Sequence, residues 1–181
     1  IVNYEICRRL NCEIVNGPNP TQLFKAIKNK TEIAATKYAH IKDGVAVTKF
    51  MYWLKTNVGK IPMDEVSISD KLEEFRKAQK DFYDLSFDTI CAYKENAALM
   101  HYKAEPGKCA TVTNEGLLLI DSGGQYFDGT TDITRTFVLG NISDIERRDY
   151  TVALKALLRL QDARFIAGTT GPNLDLFARE M

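Results

Sequence analysis

The sequence predicts an α+β fold with a mainly antiparallel sheet, and three observations carry that expectation. Helical periodicity runs from about residue 31 to residue 80, short β-rich runs punctuated by Gly, Pro and Asn occupy the middle, and helical periodicity returns near residue 143. Runs of helices followed by runs of strands segregate the two element types, whereas regular alternation would indicate a parallel sheet.

The elements follow in order. Residues 13–20, Glu-Ile-Val-Asn-Gly-Pro-Asn-Pro, contain Asn-Gly, Gly-Pro and Asn-Pro, which interrupt regular structure. What precedes them is too short to bury a core. Residues 1–24 are therefore expected to be the tail of a preceding domain with its linker, and residues 25–181 to begin the next domain. Thr31 can cap a helix. Beyond it Ile33, Tyr38, Ile41, Val45, Phe50, Trp53 and Leu54 recur near helical spacing as far as Asn57, and this stripe is expected to face the core. Gly59 and Pro62 stop that helix. A second is expected over Glu65–Lys80, with Ile68, Leu72 and Phe75 on one face.

Leu85–Tyr93 reads as a strand, residues 103–115 as a polar loop, and Leu117–Ile120 as a buried strand ending at Asp121. Gly123-Gly124 and Asp128-Gly129 mark bends. Thr130–Leu139 has β-branched character and reads as a further strand. Ser143–Ala167 returns to helix, ended by Gly168 and Gly171-Pro172, and Leu174–Met181 opens one more.

Composition excludes several function classes. The chain is 45% hydrophobic and 27% charged, which suits a packed globular protein rather than a disordered one. Its 24 basic and 24 acidic residues cancel, so no field attracts nucleic acid or a membrane surface. No apolar run approaches a membrane span. The first residues form no secretory leader and lack Met, so the chain is expected to be a piece of a longer cytoplasmic protein. Cys7, Cys12, Cys91 and Cys109 form no Cys-x-x-Cys pair, and the two histidines, His40 and His101, do not complete a zinc-site spacing. All four thiols are expected to be reduced and to act as small buried hydrophobes.

The chemistry concentrates around two aspartates eleven positions apart. Asp121 closes an apolar strand and Asp132 lies in the next β-rich run, so a bend at Gly123-Gly124 or at Asp128-Gly129 would bring both carboxylates to one spot. A carboxylate at the end of a buried strand is held rigidly, as a metal ligand should be. Two carboxylates packed together repel unless a cation lies between them. Oxygen donors favour hard or borderline ions such as Mn²⁺ or Mg²⁺. A solvated turn with two acidic residues has the same spacing, so spacing alone does not decide.

The surrounding residues do. Asp121-Ser-Gly-Gly-Gln-Tyr126, followed by Asp128-Gly-Thr-Thr-Asp132-Ile-Thr-Arg-Thr136, closely resembles the aminopeptidase P branch of the creatinase-like "pita-bread" metallopeptidases. Glu73-Glu74-Phe75-Arg76, Leu85-Ser86-Phe87-Asp88-Thr89-Ile90 and Ala97-Ala98-Leu99-Met100-His101-Tyr102 appear in the family's order. So does Gly168-Thr169-Thr170-Gly171-Pro172-Asn173-Leu174-Asp175. The likeness covers about residues 25–181.

The resemblance implies the N-terminal portion of a pita-bread (creatinase/aminopeptidase) catalytic domain, incomplete in this chain. It implies a metal-dependent Xaa-Pro aminopeptidase with a dinuclear centre, usually of manganese, acting on peptides with proline in second position and commonly forming a homodimer. Asp121 and Asp132 match the first two metal ligands. His101 matches a catalytic histidine that lies beside the metals without binding them and hydrogen-bonds substrate or steers protons. The family's remaining ligands, one histidine and two glutamates, are expected beyond Met181, so this polypeptide alone is expected to be inactive. In one departure, the family often has Pro shortly after His-Tyr, where this chain has Lys103-Ala104-Glu105-Pro106.

His40 is expected at the helix surface and Asp128 in a turn. Thr134 and Arg135 are expected either to contact ligands or carboxylates or simply to continue the strand. Two alternatives remain open: a prolidase-type Xaa-Pro dipeptidase, and a non-catalytic pita-bread module that binds peptides or proteins. Modules of the second kind typically lose the metal carboxylates, which are present here.

Overall fold

A computed structural model describes residues 3–180. Two short helices, α1 (Tyr4–Arg9) and α2 (Pro20–Ala26), bury no residue. Helix α3 (Lys30–Asn57) starts at Asn29 rather than Thr31, because the Asn29 side chain and Glu32 close a reciprocal capping box. Its 28 residues make a rod about 42 Å long.

The buried face of α3 is not the expected one. Ile33, Tyr38, Ile41 and Val45 are exposed, while Ala39, Asp43, Ala46, Phe50 and Leu54, with Lys42, are buried. That face keeps i, i+3/i+4 spacing but is built from small and charged residues in its first half. Close approach explains the choice: a Cβ at Gly129 would lie 3.3 Å from the Thr36 backbone and 3.6 Å from Ala39 Cβ, leaving no room for larger side chains. Phe50 and Trp53 belong to the core as expected, Phe50 fully and Trp53 at its edge. Helix α4 (Glu65–Lys77) is capped by Asp64 and ends before Lys80; it buries Glu65, Ile68, Leu72 and Arg76.

Six strands follow: β1 (Phe82–Leu85), β2 (Ile90–Tyr93), β3 (Leu117–Ser122), β4 (Gly124–Tyr126), β5 (Gly129–Thr130) and β6 (Ile133–Val138). They form two antiparallel sheets, ordered β1-β4-β5 and β2-β3-β6. The expected single strand over Leu85–Tyr93 is therefore two strands that serve different sheets. Likewise, Thr130–Leu139 is interrupted at Thr131 and Asp132. Residues 117–138 form one long hairpin that reverses at Phe127-Asp128 and is kinked where both arms pass between sheets. Of the two predicted bends, Asp128-Gly129 makes the reversal and Gly123-Gly124 makes the kink.

Along β3, Leu118, Ile120 and Ser122 are buried while Leu117, Leu119 and Asp121 are half-buried, so the apolar run is covered on one face only. The covered face packs on Phe50, Leu54, Ile68 and Leu72 of α3 and α4. A buried ion pair ties the helices together: Arg76 donates to both Asp43 oxygens at 2.7 and 3.1 Å, and the Tyr126 hydroxyl donates to Asp43 at 2.9 Å.

Helix α5 (Asp144–Asp162) is capped by Ser143 with Glu146 and stops at Asp162, short of the expected Ala167. Helix α6 (Gly171–Arg179) begins before Leu174, with Pro172 in its first turn. Met181, the expected end of that helix, lies outside the described residues. Helices α5 and α6 pack on each other and bury no residue. No helix among the described residues is long and apolar enough to cross a membrane. The four cysteines are free, but only Cys91 is buried; Cys7 and Cys109 are half-buried and Cys12 is exposed, so the buried-hydrophobe expectation holds for one of them.

Candidate metal centre

Asp121 lies one residue before the end of β3, on the sheet face turned away from α3 and α4. Its register partner is Thr134 of β6, and the Thr134 hydroxyl donates to Asp121 Oδ1 at 2.6 Å. Asp132 immediately precedes β6 and is exposed. Strand alternation carried back from Thr134 puts it on the same face as Asp121. The two aspartates thus flank the kink, one on each arm of the hairpin.

The kink is tightly fixed. The Gly124 N–H donates to Thr131 Oγ1 at 2.9 Å, and the Thr131 N–H donates back to the Gly124 carbonyl at 2.9 Å. Ser86 donates through its N–H to the Gly123 carbonyl at 3.2 Å and through its hydroxyl to the Thr131 carbonyl at 2.9 Å. A Cβ on Gly123 would fall 2.0 Å from the Thr131 oxygen and 2.2 Å from Ser86 Oγ, so only glycine lets the arms come this close. Thr131 and Ser86 had no chemical signature of their own in the sequence; their role emerges only once the register is known.

Among the described residues, the Thr134 hydroxyl is the one side-chain donor to either carboxylate, and none of the ion pairs involves Asp121 or Asp132. Two carboxylates on one face, without a counter-cation, suit a hard divalent ion. They do not close a centre by themselves: no group of three or more His, Cys, Asp or Glu among the described residues is placed to hold a metal. The pair fits part of a coordination shell, and further donors would have to complete it.

His101 does not join the two aspartates in such a group. It is exposed, with φ +55°, on the loop after a 3-10 turn at Lys94–Ala98 that packs against β3. Its neighbour Tyr102 is anchored, donating to Glu65 Oε2 at 2.6 Å. That bond, together with burial, pushes the Tyr102 phenol up to about 12. Glu65, fully buried at the start of α4, carried no signal in the sequence beyond its place after the helix cap. Pro106, the displaced proline of this loop, sits in a turn closed by the Lys108 N–H donating to the Glu105 carbonyl.

Of the remaining candidates, Asp128 sits in the hairpin turn and pairs with Lys42, which also lies 3.7 Å from Asp81. Thr134 contacts a carboxylate, whereas exposed Arg135 donates to the Thr134 carbonyl and continues the strand. His40 is exposed on α3, its Nδ1 at 2.9 Å from the Thr36 carbonyl.

The pattern of metallopeptidase family M24 matches residues 34–181, and the chain belongs to that family. Its two sheets with their covering helices are part of the pita-bread fold. More particularly, it is 47% identical over 164 residues to the probable Xaa-Pro aminopeptidase P of Paracoccidioides lutzii, covering 90% of this chain and 27% of that relative. The chain thus spans about a quarter of the length of such curated relatives. An X-prolyl aminopeptidase of Caenorhabditis elegans, described as a cytosolic enzyme with a di-nuclear active site, superposes with TM-score 0.81 at 34% identity over 90% of this chain and 27% of its own. A prolidase of Pyrococcus furiosus superposes with TM-score 0.72 at 29% identity over 89% of this chain and 45% of its own.

Proposed function

We propose that residues 25–181 begin the catalytic domain of a cytoplasmic, homodimeric Xaa-Pro aminopeptidase, that residues 1–24 close the domain before it, and that Asp121 and Asp132 are two of its metal ligands. One observation carries the reading: a kinked hairpin holds two carboxylates on one face, with Thr134 bonding the first and no cation among the described residues paired with either. The similarity to an X-prolyl aminopeptidase with a di-nuclear site supports two bound ions. Manganese is our assignment, in keeping with an oxygen-rich donor set.

When bound, two such ions supply a water ionised at neutral pH and a polarised carbonyl. The chain's own residues do the rest. Asp121 and Asp132 would hold the cations, and Thr134 bonds one Asp121 oxygen and leaves the other without a side-chain donor among the described residues. His101 hydrogen-bonds the bound peptide or carries a proton at the scissile bond, work that suits a group whose neutral and charged forms interchange near neutral pH. The substrate in this reading is a peptide with proline second, cut to release its first residue.

Prolidase activity is the second reading, favoured by the likeness to the Pyrococcus enzyme. The full-length protein loaded with Mn²⁺ should cleave a tripeptide Xaa-Pro-Yaa much faster than a dipeptide Xaa-Pro; the reverse ratio makes it a prolidase, and no cleavage of either favours a binding module. The 181 residues alone should bind Mn²⁺ weakly and cleave neither, because the donors that complete the shell lie elsewhere in this reading. Robust Mn²⁺-dependent turnover by the isolated chain would sink that part.

A further inference from the structure

Glu65 is an unusual buried acid. It is fully buried at the first position of α4, and none of the ion pairs among the described residues includes it. Instead it accepts four hydrogen bonds: from the Tyr93 N–H at 2.6 Å and Asn96 Nδ2 at 2.9 Å on Oε1, and from the Tyr102 hydroxyl at 2.6 Å and the Ala110 N–H at 2.9 Å on Oε2. Three of the partners are N–H donors and the fourth is a hydroxyl, a set that an amide in place of Glu65 could not satisfy. Its backbone N–H also donates to the Ala110 carbonyl at 3.3 Å. The helix N-terminus beneath it favours the negative charge.

Those partners are not scattered. Tyr93 ends β2, Ala110 closes the following loop, and Asn96 and Tyr102 lie within it, so one carboxylate tethers residues 93–110 at both ends and twice between. The loop is otherwise mostly exposed. His101 stands next to the Tyr102 tether with φ +55°, a left-handed conformation uncommon in non-glycine residues though more accessible to histidine than to most. Asn96 Nδ2 reaches the Tyr102 hydroxyl as well, at 3.1 Å, and braces the same ring.

We propose that Glu65, acting through Tyr102, is a positioning residue that fixes the loop presenting His101 to the substrate. The proposal rests on the reading of His101 as catalytic given above. The hub accounts for two otherwise unexplained features: a buried carboxylate without a cation, and a left-handed histidine on an open loop.

The test uses the full-length Mn²⁺-loaded enzyme and the variants Tyr102→Phe, His101→Ala and their combination. Tyr102→Phe deletes one tether and leaves the other three. It should lower kcat by about 10- to 100-fold, since displacement by about 1 Å costs that much, with KM and bound manganese close to wild type and the thermal midpoint lowered by only the few degrees that one lost hydrogen bond costs. In the His101→Ala background it should cost nothing further, because both changes act through one group. Glu65→Gln, which turns an NH₂ group toward donors, should reproduce the kcat loss where it folds. Unchanged kcat in Tyr102→Phe, or an equal loss with and without His101, overturns the positioning role while leaving His101 standing. Wild-type kcat in His101→Ala removes the catalytic reading of His101 and the proposal with it.

Discussion

Four carboxylates divide this molecule into two kinds of place. Asp43 and Glu65 are fully buried and surrounded by donors: Arg76 and Tyr126 on the first, two backbone N–H groups, an amide and a phenol on the second. Asp121, on the uncovered face of the sheet, accepts one hydroxyl, and exposed Asp132 just before β6 accepts no side-chain donor among the described residues. A buried carboxylate whose acceptor sites are filled is structural, because its charge has been matched within the fold. A rigidly held carboxylate with open acceptor sites beside a second one is poised for a ligand the chain itself does not supply. Burial alone would have ranked these four backwards as functional candidates; the donor count orders them.

The comparison breaks most visibly if the open pair is altered. In the full-length enzyme Asp121→Asn should cut kcat/KM by about a thousandfold or more, about 4 kcal/mol of transition-state stabilisation, while the unfolding midpoint stays near wild type. Turnover that survived the substitution would remove Asp121 from the metal shell. The buried pair should behave in the opposite way. Arg76→Ala leaves Asp43 buried without its cation and should destabilise the fold by about 3–5 kcal/mol, read as a lower unfolding midpoint, with activity per folded molecule largely kept. Should the variant melt like wild type, the pair is not the brace between α3 and α4 that the geometry makes it.

A smaller effect sharpens the boundary between the two kinds. Among the described residues Thr134 supplies the one side-chain hydrogen bond to the open pair, so Thr134→Val should lower manganese affinity by about 10- to 100-fold, measured by titration of the metal-free full-length protein. Retained affinity would mean that Asp121 needs no orienting partner. Gly123 is fixed by the same geometry: an Ala there must push Thr131 or Ser86 aside, and it should reduce both stability and metal binding.

How much of this was legible in the sequence depends on what kind of force fixes each residue. Asp121 and Asp132 stood out as candidates through the residues around them rather than through their spacing, and Thr134, left open between a carboxylate contact and a plain strand position, proves to bond Asp121. The kink was not legible, because Gly123-Gly124 and Asp128-Gly129 both signal bends and only strand pairing decides which of them reverses the chain. The core face of α3 was misassigned because large apolar side chains were weighed above small ones, whereas close approach to Gly129 selects Ala39 and Ala46 and puts Asp43 inside. Glu65 was invisible for the same reason that Asp43 was. A buried charge is acceptable only through partners distant in sequence, here 28 to 45 residues away, which no local pattern encodes.

The smallest effect concerns Tyr102, where the two kinds of place meet, since a buried carboxylate there bonds the residue next to His101. The hydrogen bond to Glu65, and after it burial, raises the phenol from its ordinary 10.0 to about 12. The folded state therefore favours the protonated phenol. The stability this contributes is present in full below about pH 10 and is lost as pH rises toward 12. Tyr126 and the Cys91 thiol are also pushed up, chiefly by burial, so the wild-type protein loses stability in alkali for several reasons at once. Tyr102→Phe isolates one of them. The variant should start about 1 kcal/mol less stable at neutral pH, having lost one hydrogen bond. The gap to wild type should then close between pH 10 and 12, because the other raised groups titrate in both proteins and cancel in the difference. A gap that stayed constant across that range would mean the phenol gains nothing from Glu65, and the tether would then be a contact without a hold on the loop.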